Sequence, residues 1–287
     1  MTARSYLFVP GHRADMLANA GGRGADAVIA DLEDAVAPAE RPAARETVAA
    51  WLAGLDAPTF ETWVRINSSM VATDLAAVGP AMLNGLLVPK VRSGADLAAV
   101  MGYLDQMEAD AGVPAGRIRL IPIVETAAAM RALDEIATAP RVQQLMIGEL
   151  DMAADLGVDP ANIEAFIPLR MAVVVASAAA GIDPPLGPIS PDFRDLEVFA
   201  ADTRRLCRQG FGSRPAIHPA QVSVINAAFT PDPAAVERAR RLVTMYEAAT
   251  AAGEGAVTDE DGHMVDEAVV QVARRLLARA RHPGVNS

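Results

Sequence analysis

Eight short runs of apolar, β-favouring residues alternate with alanine-rich segments long enough for helices. This alternation predicts an α/β fold, a parallel sheet closed into a TIM-type (β/α)8 barrel. Two further observations agree. The runs lack in–out alternation, as expected of strands covered on both faces. Charged or polar residues directly follow most of them, where such a barrel carries its site. A doubly wound open sheet uses fewer strands, and no G-x-G-x-x-G loop follows the first run.

In chain order the predicted strands cover residues 6–9, 27–31, 62–66, 85–89, 119–124, 144–147, 186–189 and 215–218. Helix-compatible segments lie between most of them, at residues 14–22, 42–53, 75–83, 94–110, 127–137, 163–180 and 196–208. After His218 the pattern changes. Residues 234–252 read as one helix, 253–262 as a polar loop, and 266–281 as an amphipathic helix with Val269, Val270, Val272, Ala273, Leu276 and Leu277 at helical spacing. The expected organisation is a barrel over residues 1–230 and a helical lid or oligomerisation segment over 231–287.

Composition excludes several function classes. The 287 residues carry a net charge of −11, which disfavours nucleic acid because phosphate is met by a basic face. Hydrophobic residues make up 52%, ample for a core. A single cysteine, Cys207, excludes a disulfide framework within the chain, and four histidines leave little for a zinc centre. No N-terminal targeting pattern is evident, and residues 171–181, the most apolar stretch, fall short of the roughly 20 needed to span a bilayer. These features suggest a soluble, cytoplasmic protein without a membrane partner.

The strand ends collect a specific set of side chains: Asp31, Glu33 and Asp34 after the second run, Arg65 and Asn67 at the third, Lys90 after the fourth, Glu125 after the fifth, Gly148-Glu149-Leu150-Asp151 after the sixth and His218 after the eighth. Singly, each reads as a helix cap or loop charge. Together they crowd carboxylates on one rim, which calls for a cation. Glu125 and Asp151, from adjacent strand ends, leave most coordination positions open, an arrangement suited to Mg2+. Arg65 suits a substrate carboxylate, with an ion pair to a rim acid as its alternative. Strand parity places Asp31 and Glu33 on one side and Asp34 on the other, so one of the three is structural. Lys90 either neutralises this cluster or contacts substrate. His218 reads as a packed rim residue.

The ordered motifs R-S-Y-L-F-V-P-G-H-R (residues 4–13), G-A-D-A-V-I-A-D-L-E-D-A-V-A-P (24–38), V-R-I-N (64–67), V-P-K-V (88–91), I-P-I-V-E-T (121–126), G-E-L-D-M-A-A-D-L-G (148–157), A-I-H-P-A-Q (216–221) and H-M-V-D (263–266) span nearly the whole chain. With them the sequence resembles the HpcH/HpaI aldolase and citrate lyase β-subunit family, in its CitE-like branch of CoA-ester lyases. The resemblance implies a modified barrel that forms trimers or hexamers, with Mg2+ on Glu125 and Asp151. It implies that Arg65 binds the substrate carboxylate and that Glu33 and Asp34 form the acidic turn beside the metal. Asp266 matches an aspartate placed over a neighbouring subunit's site; read from the residues alone it is a helix cap. Leu150, Arg214 and Gly187-Pro188 depart from the family pattern.

The implied reaction is reversible carbon–carbon cleavage of a 3-hydroxyacyl thioester such as malyl-, citramalyl- or citryl-CoA into a 2-oxo acid and acetyl-CoA. Asp266 is the candidate acid for the enolate, and Lys90, Gly148 and Arg13 join Arg65 as candidate substrate contacts. An anionic CoA must find basic groups on this acidic chain, for which Arg4 and Arg13 are candidates. The alternatives are a class II pyruvate-type aldolase on free hydroxy-oxo acids, a malyl-CoA thioesterase, and a non-catalytic binding subunit on the same fold.

Overall fold

The computed structural model describes residues 3–280, which divide into two compact units, residues 3–227 and 228–280. The first unit holds seven parallel strands: β1 (Ser5–Pro10), β2 (Ala27–Asp31), β3 (Glu61–Arg65), β4 (Gly85–Val88), β5 (Arg119–Val124), β6 (Met146–Ile147) and β7 (Arg214–Ala216). Their order in the sheet is β6-β5-β4-β3-β2-β1-β7. The expected strand at 186–189 contracts to one residue, Leu186, which bridges in parallel to Met146 on one side and Ser213 on the other. Its N–H donates to the Leu145 carbonyl (2.8 Å), and Gly187 N–H donates to the Ser213 carbonyl (2.9 Å). The eighth barrel position therefore exists, but prolines at 184, 185 and 188 remove the donors a longer ladder needs.

Helices α1 (Ala14–Ala20), α2 (Arg41–Ala53), α3 (Val71–Val78), α4 (Gly94–Asp110), α5 (Ala127–Arg131), α6 (Leu133–Ala137), α7 (Glu149–Leu156), α8 (Ile163–Ala180), α9 (Leu196–Gln209) and α10 (Pro219–Phe229) follow the strands. The segment expected as one helix at 127–137 breaks at Ala132, and the third helix starts at Val71, four residues earlier than expected. Side-chain caps define several starts: Thr126 Oγ1 accepts Ala129 N–H, and Asp195 accepts Val198 N–H. By length and composition α8 could cross a membrane, contrary to the sequence estimate. It packs instead beside α6 and α9, with Phe166 and Arg170 buried, while Ile163, Ile167, Met171 and Val175 are exposed four residues apart.

The barrel interior follows strand parity. Tyr6 and Phe8, Ala27 and Ile29, Trp63, Leu87, Ile121 and Ile123, Met146 and Leu186 form one buried cluster. Small faces large: a Cβ on Gly85 would run into the Trp63 ring. The buried Gln144 ties the closing seam, donating to Ser213 Oγ (2.8 Å) and to the Pro184 carbonyl while accepting from Tyr6 OH (3.3 Å). Carrying the same parity two residues upward leads from Ile29 to Asp31, from Trp63 to Arg65, from Ile123 to Glu125 and from Met146 to Gly148. The site is the top layer of the core.

The second unit contains α11 (Pro233–Ala251), a hairpin of β8 (Val257–Thr258) and β9 (Met264–Val265), and α12 (Glu267–Ala280). The hairpin replaces part of the polar loop expected from sequence. Its turn is organised by Asp259, whose Oδ1 accepts the N–H groups of Asp261 and His263 (3.0 and 2.8 Å).

Candidate active site

At the carboxyl ends of the strands lies a pocket of about 330 Å³ lined by Asp34, Arg65, Glu125, Gly148, Asp151 and Ile189, among others. Asp31 organises one wall. It accepts Nε and Nη2 of Arg65 at 2.7 and 2.6 Å and the N–H groups of Glu33 and Ala35 at 3.0 Å each. It is the structural member of the three acids. Register makes this pair possible, since Asp31 and Arg65 are direct partners across β2 and β3.

Arg65 also reaches Asp34 (3.0 Å) and Glu33 (3.1 Å) through Nη1, and its guanidinium lies 5.2 Å from the Phe8 ring centre. The rim-acid ion pair thus forms, and Nη1 remains the edge beside the pocket's exposed carboxylate, Asp34. Burial alone would lower the arginine's pKa. Its hydrogen bonds to Asp31 and the surrounding negative charge outweigh burial and hold the group firmly charged.

Lys90 and Glu125 meet through the backbone. Lys90 N–H donates to Glu125 Oε1 at 2.5 Å, and its side chain, half-exposed, reaches Glu33 at 3.4 Å. Lys90 adopts a left-handed backbone (φ 56°), uncommon for a lysine. Glu125 and Glu33 are both buried. Burial pushes each carboxyl up to about 7, opposed for Glu125 by the Lys90 N–H and for Glu33 by Arg65; Asp151 adds repulsion at Glu125, and Asp34 adds it at Glu33. One oxygen of Glu33 accepts no hydrogen bond.

These two groups bind protons more tightly folded than unfolded, so the folded state holds the extra protons between the ordinary value of 4.5 and about 7. The metal-free protein is expected to lose stability as pH rises across that window, because the folded state must then carry both charges. Thermal unfolding in a chelator should show the midpoint falling from pH 4.5 to 7. Glu125→Gln should flatten that fall, and an unchanged slope would refute the attribution.

Gly148 leaves room for Glu125. A Cβ there would lie 2.7 Å from Glu125 Cβ and 2.8 Å from its Oε2. Its N–H is engaged by the Val124 carbonyl (3.0 Å), so toward the pocket it contributes clearance. We expect Gly148→Ala to weaken Mg2+ binding at least tenfold by displacing that carboxylate. Calorimetric titration checks this, with circular dichroism showing the barrel intact. The next residues open α7, placing Glu149 and Asp151 in its first turn, where carboxylates are favoured. Glu149 is gripped by buried Arg170 (2.6 and 2.8 Å), a partner 21 residues away that sequence reasoning missed.

Arg13 sits on the same rim after β1, paired with Asp15 at 2.9 Å and half-exposed. Arg4 corrects the expectation of a CoA contact. It precedes β1 and so lies at the opposite end of the barrel, buried against Asp26. Arg214 is likewise internal, bonded to Asp202 and Thr203 beneath Phe199. His218 is exposed, with its ring stacked on Phe193. Asp266 belongs to the second unit, where its Oδ1 accepts Val269 N–H (3.0 Å) and caps α12.

A divalent cation fits this chemistry. Glu125 is held in place by a backbone N–H and a side-chain-free neighbour, and its charge is opposed by burial and by Asp151. In the second unit, Asp259, Asp261 and His263 also cluster, but the first two already face Arg238 and Asp259 organises its own turn.

A family model described as HpcH/HpaI aldolase/citrate lyase matches residues 4–219. A (3S)-malyl-CoA thioesterase of Cereibacter sphaeroides is 33% identical, over 96% of this chain and 94% of its own. An L-malyl-CoA/β-methylmalyl-CoA lyase of Rhodobacter capsulatus shows the same identity and coverage. Among solved structures, the CitE protein of Mycobacterium tuberculosis in complex with magnesium, acetoacetate and coenzyme A superposes with a TM-score of 0.77 at 30% identity, over 96% of this chain and 97% of that one.

Proposed function

The chain belongs to the HpcH/HpaI aldolase/citrate lyase family, and from that footing we propose that its barrel mouth is a Mg2+-dependent CoA-ester lyase site acting on a 3-hydroxyacyl-CoA that bears a carboxylate beside the hydroxyl carbon. The observation that carries this reading is the convergence of Glu125 and Asp151 with Arg65 on one pocket. Relatives named as malyl-CoA lyase, and a neighbour holding magnesium with coenzyme A, support it.

Glu125 and Asp151 would hold Mg2+, which when bound supplies Lewis acidity for an oxygen acquiring negative charge. The chain's own residues do the rest. Arg65 neutralises the substrate carboxylate through its Nη1 edge, held in position by Asp31. Asp34, exposed and lining the pocket, accepts the hydroxyl proton. The bond between the hydroxyl carbon and the carbon next to the thioester then breaks, its electron pair moving into the thioester enolate. Return of that proton to the enolate carbon gives an acyl-thioester, acetyl where the substrate is unbranched beside the thioester, and a 2-oxo acid.

A second reading rests on the equally similar thioesterase. Mass spectrometry of malyl-, β-methylmalyl-, citramalyl- and citryl-CoA incubated with and without Mg2+ separates the two. A 2-oxo acid with acetyl-CoA, or with propionyl-CoA from the β-methylated ester, is the expected result. Free hydroxy acid with CoA would favour hydrolysis, and no turnover of any ester would overturn both.

A further inference from the structure

The first turn of α7 presents Glu149, Leu150 and Asp151 in succession, and all three line the pocket. Glu149 is bound by Arg170, and Asp151 stands exposed, open to a cation. Leu150 has neither role. Met152 and Ala153 take the core-facing positions of the helix, and Leu150 is left 50% exposed. A lone exposed leucine needs no explanation. This one belongs to an apolar side of the pocket, with Ile189 from the segment after Leu186 and with Ile123 and Met146 from the buried cluster.

The polar side is short of positive charge. Asp34, Glu125, Glu149 and Asp151 line it, and Arg65 is the one cation with them among the described residues. Three acids, Asp31, Glu33 and Asp34, already share its guanidinium. The Lys90 ammonium is drawn to Glu33 at 3.4 Å. Arg65 can therefore serve one substrate carboxylate. A second would lie against acids with no cation left for it, and an unpaired charge taken out of water is costly.

In a 3-hydroxyacyl-CoA of the proposed kind, the hydroxyl carbon carries the two groups whose oxygens approach the cation, the hydroxyl and the carboxylate. Its remaining substituent is hydrogen in malyl-CoA, methyl in citramalyl-CoA and carboxymethyl in citryl-CoA. Leu150 is joined directly to Asp151, with about 3.8 Å between their α-carbons. The remaining substituent is thus the part of the acyl group set against Leu150.

We propose that the substrate's hydroxyl carbon bears a small alkyl group and that Leu150 selects it; this rests on the CoA-ester lyase reading of the barrel mouth. Hydrogen at that position leaves the leucine surface in contact with water. Carboxymethyl brings the second carboxylate that the pocket has no cation to meet. A methyl group covers Leu150 and adds no charge. Cleavage then yields a 2-oxo acid with an alkyl chain and a single carboxylate.

The test is kcat/KM of the full chain with Mg2+ on malyl-, citramalyl- and citryl-CoA. Citramalyl-CoA should exceed malyl-CoA about tenfold or more, as one carbon in an apolar pocket commonly gives, and citryl-CoA should be the poorest of the three. Leu150→Ala should bring the citramalyl-to-malyl ratio near one, while calorimetric titration without substrate shows wild-type Mg2+ affinity. Malyl-CoA cleaved as well as citramalyl-CoA, or a ratio unmoved by Leu150→Ala, overturns the selection alone. A ratio that falls together with Mg2+ affinity overturns it too, since the change then acts through Asp151. Cleavage of none of the three by the wild-type chain overturns the lyase reading and the selection with it.

Discussion

Asp151→Ala should abolish metal-dependent cleavage, lowering kcat by about 10³-fold or more, while the fold stays intact. The magnitude follows from losing several kcal/mol of charge stabilisation at the reacting oxygen, with each 1.36 kcal/mol worth a factor of ten. The mild effect on folding follows from position. Asp151 is exposed in the first turn of α7, and the described residues show no hydrogen bond or ion pair to its carboxylate. Its structural contribution is the interaction with the helix N-terminus, about 0.3–1 kcal/mol. Thermal unfolding without metal should therefore be nearly unchanged, and the upward shift that Mg2+ gives the wild-type chain should disappear. Retained Mg2+-dependent turnover would remove Asp151 from the metal site.

Arg65→Met should be the most damaging single change to stability in the barrel mouth. Its guanidinium is the shared counter-charge of Asp31, Glu33 and Asp34, and both Asp31 and Glu33 are buried. Removing it leaves the buried Asp31 carboxylate without a cation and Glu33 with Lys90 alone, which costs about 3–5 kcal/mol. For a domain of this size that lowers the unfolding midpoint by roughly 10 °C. Adding Asp31→Asn should recover part of the loss, because one of the stranded charges goes with it. If the double variant is no more stable than the single, the Asp31–Arg65 pair is not the source. Arg65→Lys should not restore activity, since one ammonium cannot match the two-pronged grip on Asp31 while also serving Nη1's partners.

Much of the barrel was legible in sequence because strands buried on both faces must be continuously apolar. The runs at 27–31 and 119–124 and the helices at 94–110 and 163–180 have the expected ends. The rim set was legible for a related reason: polar residues at the end of an interior-facing run project toward the mouth, which held for Arg65 and Glu125. What escaped depends on partners far apart in the chain. For Arg65 the sequence left a substrate carboxylate and a rim-acid ion pair both open, because only the β2–β3 register reveals Asp31 as its partner. Arg170 sits inside an apolar helix with no local mark of its bond to Glu149. The helix at Glu149–Leu156 was hidden because its first turn is also the site loop, with Gly148 at its start in place of a side-chain cap. The eighth strand shrank to Leu186 because the prolines around it cannot donate.

That single-residue closure gives the barrel an uneven distribution of backbone protection. Five residue pairs join β1 to β2, whereas the ring closes at Leu186 through a few rungs, Leu186 to Leu145, Ile147 to Leu186, Gly187 to Ser213 and Gly212 to Pro185. Amide protons at this seam should exchange with solvent deuterium well before those of β2, since sparse rungs open at lower free-energy cost. Met146 beside the seam and Ile189 just after it both line the pocket, and Arg65 stands three strands away. Thermal breathing should thereby be concentrated in the wall that holds Met146 and Ile189 and kept from the wall that holds the Asp31–Arg65 pair.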